Sequence, residues 1–195
     1  MMKKDLYLRW ILLTVIIVLV AAFRLLPYVA DFHFLYNFSP IAAMALFGAA
    51  YFRSKWMAFG IPMLALWVSN LILDNVFLAE YYDGFVAVGN AEVYLSFLLV
   101  GVLGFLLLKK VTPMRVAGAS LGASVLFFIV SNLFVWLQGT MYPLTWEGLV
   151  ACYVAAIPFF WNTLAGDLFF CALMFGAFEA LAYWKPSLKL AESQA

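Results

Sequence analysis

The stretch Tyr7–Val29, YLRWILLTVIIVLVAAFRLLPYV, decides how the chain is read. From Trp10 to Ala22 only Thr14 interrupts an unbroken apolar run. As a helix rising ~1.5 Å per residue, the whole stretch crosses the roughly 30 Å hydrocarbon core of a bilayer. Met1-Met-Lys-Lys-Asp before it gives the outline of a signal peptide, with a basic start and an apolar run. Everything downstream is equally hydrophobic, so the stretch is expected to be retained as a first membrane span.

Apolar residues are 68% of the 195 and charged residues 11%. A water-soluble fold of this length cannot hide that much apolar surface, so lipid is the expected solvent. Hydropathy predicts one all-α transmembrane domain over 1–195, with six spans near 7–29, 39–52, 56–78, 91–108, 115–137 and 162–184. The apolar segment Thr145–Phe160, flanked by Pro143 and containing Pro158, reads as an interfacial or re-entrant helix between spans five and six. Lysine and arginine favour cytoplasmic loops. Lys3, Lys4 and Arg9 precede span one, Arg53 and Lys55 join spans two and three, and Lys109, Lys110 and Arg115 join spans four and five. Lys185 and Lys189 follow span six, while the opposite loops carry Asp31, Asp74, Glu80, Asp83, Glu92 and Glu147 without a cation, and only Arg24 breaks the pattern. Both termini are therefore expected in the cytoplasm.

Several functions are excluded or given no support. The formal net charge of +1, without a basic stripe, argues against nucleic acid. There is no GxxxxGK[ST] and no HExxH, and His33 is the single histidine, so a bis-histidine haem or a two-histidine metal site cannot form within this chain. Cys152 and Cys171 define no disulfide framework and lack metal-ligand spacing, so no metal and no cofactor is expected. No selectivity-filter run and no inverted repeat is visible.

Ionisable side chains within apolar spans are costly and mark candidate sites. Arg24, Asp167 and Glu179 are the three here. Arg24 and Asp167 both fall about five residues inside the outer ends of their spans, or roughly 7–8 Å deep, at matching level and with opposite sign. They either pair to hold the first and last spans together or bind one ligand between them; snorkelling of Arg24 is a third reading. Glu179 lies in the inner leaflet and reads as a structural or coupling residue. Asn37, Asn132, Trp136 and Asn162 gather at the outer level of Arg24 and Asp167, and the six together form the expected ligand site. Each also has a plainer reading, as a helix cap or a member of an interfacial aromatic belt. Pro40 suits a first helical turn, with Ser39 or Asn37 as its cap. Small residues on span two (Ala42, Ala45, Gly48, Ala49) and span five (Gly118, Ala119, Gly122, Ala123) permit close helix contact, either within the bundle or with a partner membrane protein.

Long runs carry a family resemblance: Asn37-Phe-Ser-Pro-Ile-Ala-Ala-Met-Ala-Leu-Phe-Gly-Ala-Ala, Val93-Tyr-Leu-Ser-Phe, Ser131-Asn-Leu-Phe-Val-Trp, Tyr142-Pro-Leu-Thr-Trp-Glu-Gly-Leu, and Cys152-Tyr-Val-Ala-Ala-Ile-Pro-Phe-Phe-Trp-Asn-Thr-Leu-Ala-Gly-Asp-Leu-Phe-Phe. Together they resemble an uncharacterised family of small bacterial integral membrane proteins. That family is similar to the substrate-binding S components of energy-coupling-factor (ECF) vitamin transporters. The resemblance implies a multi-pass protein of the bacterial inner membrane with an outward-facing pocket. It also implies docking onto a transmembrane coupling protein driven by separate ATPases. Two departures stand out: the alanine-rich run lies on span two rather than span one, and the Ser69-Asn70 motif ends in an amide, with Asp74 one turn later. The expected function is thus a non-enzymatic small-molecule binding and uptake component. An accessory subunit of a larger membrane complex is the alternative, and a lipid-modifying enzyme using Asp167, Glu179 or Glu147 is a third class.

Overall fold

A computed structural model describes residues 3–32 and 35–189, so His33 lies outside the described residues. The elements follow in the order α1 (Lys3–Phe23), α2 (Leu26–Val29), α3 (Ile41–Tyr51), α4 (Lys55–Ile72), α5 (Ala91–Leu107), α6 (Pro113–Leu137) and α7 (Trp146–Trp184). A π-helical turn, Leu73–Phe77, prolongs α4, and a 3-10 turn, Pro186–Leu188, follows α7. No strand occurs among the described residues.

Four segments are long and apolar enough to cross a membrane: Lys4–Val29, Lys55–Phe77, Pro113–Leu137 and Trp146–Trp184. Large apolar side chains such as Ile11, Val18 and Leu19 on α1 and Leu98, Val102 and Leu106 on α5 face outward. An apolar exterior of this extent suits a protein solvated by lipid. The other two expected spans are shorter. α5 has 17 residues and α3 only 11. At ~1.5 Å per residue α3 is roughly 16 Å long, about half the hydrocarbon thickness.

α3 is the centre of the bundle rather than one of its walls. Every side chain from Ile41 to Phe47 is buried, and the helix packs against α1, α4, α5, α6 and α7. Gly48 makes the approach of α4 possible: a Cβ there would stand 2.4 Å from the carbonyl oxygen of Ala58. Ala42, Ala45 and Gly48 thus make contacts within the chain, as the first of the two readings of span two expects. α6 differs, because a Cβ on Gly118 would meet open space.

One correction concerns the segment before the last span. Instead of a separate interfacial or re-entrant helix over 145–160, one helix of 39 residues runs from Trp146 to Trp184 with Pro158 inside it. Proline removes one N–H from the ladder and leaves the rest intact, and such residues are tolerated in apolar helices where neighbours cover the gap. Thr145 starts the helix by accepting a hydrogen bond from Gly148 N at 3.2 Å.

At one end of the bundle the two ends of the described chain meet. Arg9 is only 4% exposed. It donates to Tyr51 O at 2.7 Å and to Leu188 O, and its guanidinium lies 5.0 Å from the Phe178 ring centre. Tyr51 donates to Glu179 Oε1 at 2.7 Å, Lys189 pairs with Glu179 at 3.1 Å, and Lys185 pairs with Asp5 at 3.5 Å. Glu179 thus has a structural place in a polar clasp joining α1, α3, α7 and the segment after it.

Candidate functional site

At the far end of α1 the helix tightens and stops. Arg24 N bonds to Ala21 O at 3.2 Å and Leu25 N to Ala22 O at 3.0 Å, both i to i−3, before α2 begins at Leu26 with Pro27 in its first turn. This break turns Arg24 inward toward α4. Its Nη1 donates to Ser69 Oγ at 2.9 Å and to Asn70 Oδ1 at 2.5 Å. Asn70 Nδ2 in turn donates to Tyr94 OH at 3.0 Å, so one polar chain ties α1 to α4 and α5.

Asp167 comes from α7 and is 2% exposed. Ser124 Oγ on α6 stands 2.7 Å from Asp167 Oδ2 and 3.0 Å from Ser120 O. A serine hydroxyl has one proton, so it donates to the carboxyl or to the carbonyl, not to both. The loop 35–40 lies between the two charges. Asn37 adopts a left-handed φ of 69°, which asparagine tolerates better than most residues. Tyr36 stacks on Tyr28 with ring centres 5.0 Å apart, and Phe38 packs on Phe169 and Phe170 at 5.6 and 5.4 Å. Gly166 lets α7 touch this loop, since a Cβ there would come within 2.9 Å of Ser39 N.

These elements enclose a cavity of about 160 Å³ whose lining includes Arg24, Tyr28, Asn37, Ser39, Phe127 and Asp167. The two opposite charges share it, yet no ion pair joins them among the described residues. Arg24 donates to neutral acceptors on α4 and also feels the charge of the buried Asp74 carboxylate, while Asp167 bonds to a hydroxyl on α6. Ser39 does not cap α3; Pro40 is the N-cap itself, without a side-chain bond. Ser39 Oγ is buried and has no hydrogen-bond partner among the described residues. A buried hydroxyl left unpaired costs free energy unless a guest or water satisfies it.

The remaining expected site residues are dispersed. Asn132 lines a second cavity of about 250 Å³ between α6 and α7, and Asn37 borders both cavities. Asn162 Nδ2 donates to Tyr36 O at 3.2 Å, supporting the loop. Trp136 is half-buried and donates to Pro143 O at 3.0 Å, part of the turn between α6 and α7. A groove of about 350 Å³ between α1 and α4 is larger, but it is lined by apolar side chains apart from Thr14 and Ser69 and lacks charge. Sequence reasoning missed Ser124 and the stacked tyrosines. The spacing of Ser120 and Ser124, two hydroxyls one turn apart in an apolar span, was the available signal for the first.

Among protein families, the one described as a family of unknown function (DUF6580) matches residues 4–189. No curated protein and no solved structure matches the chain.

Proposed function

The chain belongs to the DUF6580 family, and from this premise we propose that it is a membrane-embedded component for binding and taking up a small molecule, in the manner of an ECF S component. One observation carries the reading: Arg24 and Asp167 line a common cavity, and the hydrogen bonds of each go to other residues and not to one another. A purely structural pair gains by closing the gap. Two opposite charges that line one cavity without meeting suit a guest that bridges them. An anionic group meets Arg24, a donor or cation meets Asp167, and the tyrosine stack offers a planar wall.

In this reading the chain passes the membrane of a bacterial cell six times, α3 supplying about half the depth of one pass, with both termini inside and the cavity toward the outside. The distribution of lysine and arginine supports that orientation. A transmembrane coupling partner would use α6, where Gly118 has open space beside it. The accessory-subunit alternative rests on the same surface and no other observation favours it.

The test is thermal unfolding of the purified protein in detergent with a panel of vitamins and nucleobase-like compounds. A true ligand at about a hundred times its Kd stabilises by roughly 2.7 kcal/mol. The expected result is a Tm rise with at least one compound that disappears in Arg24→Gln and Asp167→Asn. A panel with no effect, or a Tm rise unaltered by both substitutions, contradicts the proposal.

A further inference from the structure

The cavity between α6 and α7 plays no part in the reading above, although it borders the charged one. Asn37, Phe127 and Thr163 line both, so the two are neighbouring chambers separated by a partition of three side chains. Of these three, Asn37 is exposed, and Thr163 bonds within its own helix, to Phe159 O at 3.3 Å.

The chambers differ in chemistry. No charged residue lines the second one. Phe128 and Phe160 meet edge to face there with centres 5.2 Å apart. Asn132 gives one hydrogen to Phe128 O at 2.8 Å, and an amide keeps a second N–H and its oxygen for other partners. Aromatic edges beside an amide suit an uncharged planar ring.

Size separates one-part from two-part ligands. The charged chamber, at about 160 Å³, is close to the ~150 Å³ of a cavity that takes a single benzene ring. Ligand sites run from roughly 300 to 1,000 Å³. The charged chamber alone falls short of that range, and with the 250 Å³ of its neighbour it lies within it. We infer that the two chambers form one bipartite site for a two-part molecule: a small head carrying an anion and a cation or donor, linked to an uncharged aromatic ring. This inference rests on the binding role proposed above and adds the class of ligand.

Two probes test it on the full chain in lipid nanodiscs, read by calorimetric titration. One is 4-(aminomethyl)benzoate, with a carboxylate for Arg24 and an ammonium for Asp167. The other is its N-(2-phenylethyl) derivative, which keeps both charges and adds a ring. The expected result is binding of both, with the derivative tighter by about tenfold or more. Ala156→Phe fills the second chamber from its α7 wall and should bring the ratio of the two affinities to about one; Ala156→Leu serves where the larger side chain prevents folding. If the first probe binds but the derivative is no tighter, or if the ratio survives both substitutions, the bipartite site is overturned and the binding role stands. Binding of neither probe counts against both.

Discussion

Replacing Arg24 with methionine and Asp167 with asparagine, singly and together, measures whether the two charges hold each other or only their own helices. Arg24 gives hydrogen bonds to Ser69 Oγ and Asn70 Oδ1 at 2.9 and 2.5 Å from one nitrogen. Bonds involving a charged group contribute about 1.5–3 kcal/mol each, less when they share an atom. Methionine keeps the apolar stem and removes both, so Arg24→Met should cost about 3 kcal/mol. Asparagine keeps the shape of Asp167, and its oxygen still accepts from Ser124 at the 2.7 Å position, so Asp167→Asn should cost about 1 kcal/mol or less. Substitutions that share no partner add to within about 0.5 kcal/mol, whereas breaking a buried ion pair costs about 3–5 kcal/mol. Equilibrium unfolding in mixed micelles, followed by tryptophan fluorescence across a detergent titration, gives all four free energies. The expected coupling is below about 0.5 kcal/mol. Coupling above about 2 kcal/mol, or equal costs for the two single changes, means that Asp167 is the counter-ion of Arg24 and that the space between them is not a site.

Four further outcomes follow from the packing. Gly48→Ala places a Cβ 2.4 Å from a backbone oxygen of α4 and should cost about 1–3 kcal/mol in the same unfolding assay. Gly60→Ala, with nothing within 4 Å of its Cβ, should be neutral or stabilise by up to about 1 kcal/mol. Arg9→Met removes the donor shared by Tyr51 O and Leu188 O; trypsin should then cut after Lys189 faster than in the unaltered protein, Lys185 being protected by the proline that follows it, and equal rates would place the clasp elsewhere. Gly166→Ala drives a methyl group against the Ser39 amide, so ligand-dependent stabilisation should weaken by about an order of magnitude while the helix itself gains propensity.

Membrane residence was legible in Tyr7–Val29 because one long apolar run has few alternatives in a chain so poor in charge. The starts and ends of α4, α5 and α6 followed from hydropathy within a few residues. α7 was misjudged at Pro158, since a proline that breaks a helix in water only removes one bond in an apolar bundle. Arg24 and Asp167 could be read as site candidates, and both line one cavity, although α7 has no end at Asn162 from which to count the depth of Asp167. Their partners could not be read. The two i to i−3 bonds at Arg24 and Leu25 rotate the side chain toward Ser69 and Asn70, and a break of that kind leaves no periodic trace. Burial of the small residues of α3 was equally hidden, because Ala42, Ala45 and Gly48 read alike whether the neighbour belongs to the same chain or another.

The account depends most directly on the charged cavity opening to water on the outer side and accepting a guest. Thr163 borders both chambers, and Thr163→Cys places a thiol there, the native Cys152 and Cys171 being buried. Labelling by a membrane-impermeant maleimide in intact cells is the decisive measurement, with Lys110→Cys, cytoplasmic in the proposed orientation, as reference. The predicted result is reaction of Thr163→Cys in intact cells, slowed by 4-(aminomethyl)benzoate, and reaction of Lys110→Cys only after permeabilisation. Reaction of Thr163→Cys only in permeabilised cells, or at a rate indifferent to the probe, contradicts it.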